Sequence, residues 1–176
     1  MTELNAHQLL EDLAKGLNNY LAEHKIDDPI FIGIQTGGVW VAKQLQSLLN
    51  NKDKLGVLDI TFYRDDFSQA GIQPTVKPSK LPLNVNDRHI VLVDDVLYTG
   101  RTVRAALNEI FDYGRPASVS LVVLVQRNGS ELPIQADVVA STLTLDATQH
   151  IKLSGPNPLE LKILEVINTK DEQPKT

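Results

Sequence analysis

Val91-Leu92-Val93-Asp94-Asp95-Val96-Leu97-Tyr98-Thr99-Gly100-Arg101-Thr102 is the stretch that decides the fold. A short, continuous apolar strand over residues 89–93 ends in two carboxylates. A turn with Thr and Gly then opens a helix, because Val103, Ala106, Leu107, Ile110 and Phe111 recur at i, i+3, i+4, i+7 and i+8. A strand without polar alternation is buried on both faces, as in a parallel sheet covered by helices. Ligands of such sheets bind beyond the carboxyl ends of the strands. A helix N-terminus at that edge offers unpaired N–H groups and partial positive charge, which suits a phosphate. Thr99 and Thr102 add hydroxyls, and Gly100 permits close backbone approach. Two adjacent carboxylates suit vicinal hydroxyls, so one site calls for a sugar diol and a phosphate together. Helix capping alone needs one carboxylate beside the first turn, and Asp94 and Asp95 stand several residues too early for it.

The flanking sequence alternates in the same way. Leu9, Leu10, Leu13, Leu17 and Leu21 predict a first helix, residues 30–34 a β-branched strand, and Val41, Leu45, Leu48 and Leu49 a second helix. Residues 56–63 read as a strand. After Gly114 and Pro116 stop the third helix, residues 119–125 read as another buried strand. Short strands are expected near 137–141, 151–153 and 161–166, the last of them forming a small separate sheet or hood. The expected fold is α/β, with a central, mostly parallel sheet flanked by helices. Residues 1–168 read as one domain and 169–176 as a disordered tail. Residues 69–86 hold one Gly, three Pro and no apolar period, and a loop of that length is usually functional.

Composition narrows the chemistry. The chain has 176 residues, 17 Lys plus Arg, 22 Asp plus Glu and no Cys. That length fits one domain of roughly 150 residues with a small appendage. Without Cys there is no thiol nucleophile, disulfide scaffold or Cys-based metal site. The net charge of −5 argues against a general nucleic-acid binder. No apolar run reaches the length of a membrane span, and no signal-peptide pattern opens the chain, so a cytoplasmic protein without membrane contact is expected. His7, His24, His89 and His150 show no ligand spacing and read as surface or interface residues.

The quoted stretch resembles the phosphoribosyl diphosphate (PRPP) motif of type I phosphoribosyltransferases. The resemblance implies that family's fold, with a C-terminal hood and a flexible active-site loop at about 67–86. It implies that Asp94 and Asp95 hold the ribose hydroxyls, and that Val96, Leu97, Tyr98, Thr99, Gly100, Arg101 and Thr102 complete the site for ribose and 5′-phosphate. Mg²⁺ would be bound mainly through the substrate's own oxygens. Further segments, Asp59-Ile60-Thr61-Phe62-Tyr63-Arg64-Asp65-Asp66, Gly114-Arg115-Pro116-Ala117, Leu124-Val125-Gln126-Arg127 and Glu131-Leu132-Pro133-Ile134-Gln135-Ala136-Asp137, resemble the PyrR family of pyrimidine operon regulators and uracil phosphoribosyltransferases. This likeness runs from about Gly33 to Asp137.

It implies a uracil phosphoribosyltransferase converting uracil and PRPP to UMP and diphosphate, with Asp94, Asp95 and Arg64 catalytic. The diphosphate would lie on Thr36, Gly37, Gly38, Arg64 and Lys80. The base would lie near Arg127 and Asp137, and Asp65 or Asp66 could hold a metal-bound water. The family also implies a homodimer or larger homo-oligomer. Tyr98 stands where 6-oxopurine transferases of this fold carry an acidic residue, which favours uracil; its ring either meets substrate or packs against the loop.

Some positions depart from the family. Gln35 and Gly37 stand where Lys and Arg are expected, which removes two positive charges from the diphosphate loop. The alternative function is an RNA-binding attenuator of pyrimidine genes that senses UMP or UTP, with weak or no catalysis. Its RNA-binding members are expected to carry Gly-His-Arg where this chain has Asn128-Gly129-Ser130, and the basic residues are otherwise scattered.

Overall fold

A computed structural model describes residues 4–60, 81 and 84–166. Helix α1 (Ala6–Glu23) precedes strand β1 (Ile30–Ile34), helix α2 (Gly37–Leu48) and strand β2 (Gly56–Leu58). Strand β3 (His89–Leu97), helix α3 (Arg101–Tyr113), strand β4 (Ser118–Arg127) and strand β5 (Val138–Leu143) follow. The chain then forms β6 (Gln149–Ser154) and β7 (Glu160–Glu165). Five strands make one parallel sheet in the order β2-β1-β3-β4-β5, and β6 and β7 pair antiparallel as a separate hood.

Successive strand residues feed opposite faces. Phe31, Val91, Val93, Val122 and Leu124 pack with α1 and α2 on one side, and that cluster also takes in Leu153 and Leu161 of the hood. Ile30, Ile32, Ile90, Leu92, Leu121 and Val123 pack with Val103, Ala106 and Ile110 of α3 on the other. Both faces are covered, which is why the strands are apolar without interruption. The strand order reverses between β1 and β3, so the loops leaving them diverge and open a crevice. This is the type I phosphoribosyltransferase architecture expected above.

Three element boundaries differ from expectation. Strand β3 does not stop at Val93 but runs through both aspartates to Leu97, because β4 supplies a ladder partner all the way: Asp94 faces Val123, Val96 faces Val125 and Leu97 faces Gln126. Low strand propensity of Asp is overridden by that pairing. Helix α2 begins at Gly37, inside the Gly-rich turn. Strand β2 ends at Leu58; the rest of the predicted strand beyond Ile60, most of the loop at about 67–86 and the tail 169–176 lie outside the described residues. Among the described residues no helix is long and apolar enough to cross a membrane.

The central strand should carry the stability. Leu92→Ala, at a fully buried position beneath α3, is expected to cost about 2–5 kcal/mol in urea unfolding. Phe111→Ala, at a position 57% exposed on the same helix, should change stability by less than about 0.5 kcal/mol.

Candidate active site

A cavity of about 300 Å³ opens at the carboxyl end of β3. Its walls are Asp94, Asp95, Val96, Leu97, Tyr98, Thr99, Gly100, Thr102 and Val103, joined from the hood by His150 and Ile151. The quoted stretch therefore surrounds one space. Asp94 is only 3% exposed, while Asp95 is partly exposed. Each carboxylate accepts a hydrogen bond from the next amide: Asp95 N–H donates to Asp94 Oδ1 at 3.0 Å, and Val96 N–H to Asp95 Oδ1 at 2.9 Å. These bonds hold each side chain at the strand edge rather than leaving it to swing in solvent.

Helix α2 is seated against this strand without a side chain between them. A Cβ on Gly37 would collide with the Asp95 carboxylate, and one on Gly38 with the Val93 carbonyl and Asp94 Cα. Gly33 is equally tight, since a Cβ there would lie 2.7 Å from Val39 Cα. The Gln35–Thr36 peptide is cis. A side chain at Gly37 would therefore have to push the Asp95 carboxylate aside.

The turn after β3 is held by the loop after β4. Gly100 has φ of +91°, a conformation that strains any residue with a Cβ, and Leu132 and Ile134 pack where that Cβ would stand. Glu131 N–H donates to the Thr99 carbonyl at 3.0 Å. Arg101 was expected to serve the phosphate, but its Nε and Nη2 each lie 2.8 Å from Glu131 Oε2. Its side chain therefore braces the turn, and Arg101 is not among the cavity residues. Thr99 Oγ1 accepts from Arg101 N–H at 3.2 Å.

The two helices that start here differ from the one that does not. Helix α1 has a side-chain cap: Gln8 N–H donates to Asn5 Oδ1 at 3.1 Å. Neither Thr36 of α2 nor Gly100 of α3 caps its helix with a side chain. Thr99 Oγ1 takes the Arg101 amide of α3; the other first-turn amides, with the positive ends of both helix dipoles, suit an anion.

Other predicted site residues fall elsewhere. Arg127 is buried at the end of β4, with its guanidinium 4.1 Å over the Tyr98 ring. Asp137 does not reach the cavity. It stands just before β5, at the amino end of that edge strand and level with Leu121 within β4, where Leu121 N–H donates to its Oδ2 at 2.7 Å and its own N–H donates to the Leu121 carbonyl at 2.8 Å. The carboxylate substitutes for a strand carbonyl and starts the β4–β5 ladder. Arg64, Asp65, Asp66 and Lys80 lie outside the described residues. His150, read from the sequence as a surface or interface residue, is a wall of the cavity. No local signal announces this, because it depends on the hood folding back over residues about fifty positions earlier in the chain.

Comparisons with known proteins agree with this geometry. The family model for the phosphoribosyl transferase domain matches residues 1–154, well past the Asp137 limit of the resemblance read from the sequence. The Bifunctional protein PyrR of Nitrosococcus oceani is 60% identical over 91% of this chain and 92% of its own length. The protein of that name from Pseudomonas syringae pv. tomato is 56% identical over 92% and 95%. Among solved structures, a hypoxanthine-guanine phosphoribosyltransferase from Bacillus anthracis covers 86% of each chain with a TM-score of 0.67 at 15% identity. The corresponding enzyme from Leishmania tarentolae gives 0.62 at 18% identity, over 81% and 80%. Those two likenesses show the fold alone.

Gly37→Ala should fold, since α2 keeps its core contacts, yet displace Asp95. Calorimetric titration with PRPP is expected to show affinity lowered by about tenfold or more, the loss of roughly one charge-assisted hydrogen bond.

Proposed function

From the premise that this chain belongs to the phosphoribosyltransferase family, within its PyrR branch, we propose that it is a uracil phosphoribosyltransferase making UMP and diphosphate from uracil and PRPP. The observation that carries this reading is the pairing of Asp94 and Asp95 with two helix N-termini whose N-cap residues, Thr36 and Gly100, bring no side-chain cap, at the crevice where the strand order reverses. A pentose with a phosphate at one end and a diphosphate at the other needs two anion sites about a diol site.

The bond from uracil N1 to the anomeric carbon forms as the anomeric C–O bond breaks, and the electron pair leaves with diphosphate. Uracil N1 gives up its proton to the departing diphosphate or to water. Positive charge grows on the ribose ring in the transition state, so catalysis rests on fixed geometry and on stabilising the leaving group. Asp94 and Asp95 orient the ribose through its hydroxyls. The turn from Tyr98 to Thr102 and the first amides of α3 receive the 5′-phosphate. Thr36, Gly37 and Gly38, at the start of α2, receive the diphosphate. By family resemblance Arg64 and Lys80 add positive charge there, and closure of the loop at about 67–86 excludes water.

The site suits Mg²⁺ held as the family resemblance implies, mainly by oxygens of the substrate itself, since no cluster of three or more candidate ligands stands among the described residues. When bound, Mg²⁺ neutralises charge on the diphosphate. The pyrimidine ring is assigned to the side of the cavity made by Tyr98, His150 and Ile151. Arg127 and Asp137 are not given that task, because one bonds backbone carbonyls and the other closes a ladder at the amino end of β5.

A second reading is favoured by the word bifunctional in the relatives' names: an RNA-binding attenuator that senses UMP or UTP in the same cavity. A gel-shift with pyrimidine-leader RNA, with and without UMP, tests it. A shift that strengthens with UMP and weakens steeply with salt supports RNA binding, since phosphate contacts release counterions.

The leading reading is tested by UMP formation from uracil, PRPP and Mg²⁺, with hypoxanthine and orotate as competing bases. Turnover is expected with uracil alone; absence of turnover refutes it. Asp94→Asn and Asp95→Asn should each raise KM for PRPP about ten- to a hundredfold, the worth of a hydrogen bond to a charged group. A KM within twofold of wild type in both variants would remove the aspartates from the ribose.

A further inference from the structure

Arg127 is 6% exposed, yet every partner it has among the described residues is neutral. Its Nη1 donates to the Gln149 carbonyl at 2.8 Å, its Nε to the Asn128 carbonyl at 3.4 Å, and its plane lies 4.1 Å over the Tyr98 ring. No carboxylate among the described residues pairs with it. Burying a cation without a counter-charge is costly, so the position needs an explanation beyond packing.

The contacts supply one. They reach three segments far apart in sequence: the turn after β3, the loop after β4, and the hood strand β6. Tyr98 lines the cavity from below, and His150 and Ile151, next to Gln149, line it from the hood. Arg127 thus touches one wall of that space, Tyr98, and the backbone of Gln149, the residue next to the other wall. The fit on Tyr98 is close from another direction too. Gly129 has φ of +110°, and a Cβ there would lie 2.5 Å from Tyr98 Cε2, so ring and glycine are shaped to each other. A planar guanidinium can stack on a ring with its face while donating from its edge, and a lysine cannot do both.

We infer that Arg127 is a positioning residue: through Tyr98 on one side and the Gln149 carbonyl on the other, it sets the width of the slot that receives the pyrimidine ring. The inference rests on the uracil reading above and deepens it. It assigns specificity for the base to a buried strut rather than to a direct contact between Arg127 and uracil. Transfer geometry is sensitive to small displacements of a wall, so loss of the strut should appear mainly as weaker use of the base, with PRPP affected far less.

The test is a double-mutant cycle with Arg127→Met, Tyr98→Ala and the pair together, alongside Arg127→Lys and Gly129→Ala, with thermal unfolding as the check on folding. Each single change is expected to raise KM for uracil about tenfold, and the pair no more than the worse single, because residues acting as one unit are non-additive. Arg127→Lys should behave like Arg127→Met. Gly129→Ala, at an exposed loop position, displaces the ring with Arg127 intact, and serves if Arg127→Met fails to fold. Effects that multiply in the double variant, or rescue by lysine, would overturn the strut in favour of a direct charge contact. An unchanged KM for uracil in Arg127→Met, or in Gly129→Ala where that variant stands in, would overturn it outright. UMP affinity measured by calorimetry on the same variants keeps the two proposals apart. A wild-type chain that makes no UMP, but whose UMP affinity shows the same non-additive loss, ends the uracil-transfer reading and upholds the strut; turnover with UMP affinity and KM unmoved by the variants does the reverse.

Discussion

The seating of α2 on β3 is the contact from which the rest of the cavity follows. Gly37 and Gly38 bring a helix N-terminus against the backbone and carboxylate of a neighbouring strand with no side chain between. That closeness is available only where a glycine replaces a Cβ, and it places the positive end of a helix dipole beside Asp95. The same strand continues past both aspartates because β4 is long enough to pair with it, and α3 then starts from the turn at Gly100. Carboxylates and phosphate-binding amides normally repel one another's ligands. Here they are reconciled by sharing one rigid edge, each with its own part of a single molecule to hold.

The rigidity has several sources of different strength. The Arg101–Glu131 pair is about half exposed and contributes little energy, but it fixes which way the turn faces. The bond from Glu131 N–H to the Thr99 carbonyl and the packing of Leu132 and Ile134 on Gly100 do more to keep the turn in its left-handed conformation. On the far side, Arg127 joins the end of β4 to the hood. Site and scaffold are therefore the same set of residues, which explains why so many side chains near the cavity bond backbone groups rather than solvent.

Much of the fold was legible from local pattern. Unalternating strands, three amphipathic helices and a strand feeding a Gly turn are statements about neighbours in sequence, and each is present, though the strand runs past its carboxylates to Leu97. The placements that local pattern did not show have a common cause. Asp137 was assigned to the base by likeness, while in the fold its carboxylate stands in for a strand acceptor beside Leu121. Arg101 was assigned to phosphate, but Glu131, thirty residues away, holds its side chain. Gly37 was read as a lost charge, and in the fold it also lets α2 approach the Asp95 carboxylate. His150 is exposed, as read, and the hood also brings it to the rim of the cavity. In every case the deciding partner is distant in the chain.

By itself, the sequence determined the class of fold, the strand and turn that hold the cavity, and the chemistry of a diol beside a phosphate. Hydrophobic periodicity and backbone freedom act between near neighbours, so they can be read in order along the chain. The tertiary structure alone decided which polar side chains face the cavity and which serve the scaffold. A carboxylate or guanidinium goes to whichever partner the folded chain brings within hydrogen-bonding distance. That choice depends on sheet register, close glycine contacts and the fold-back of the hood, none of which is a local property.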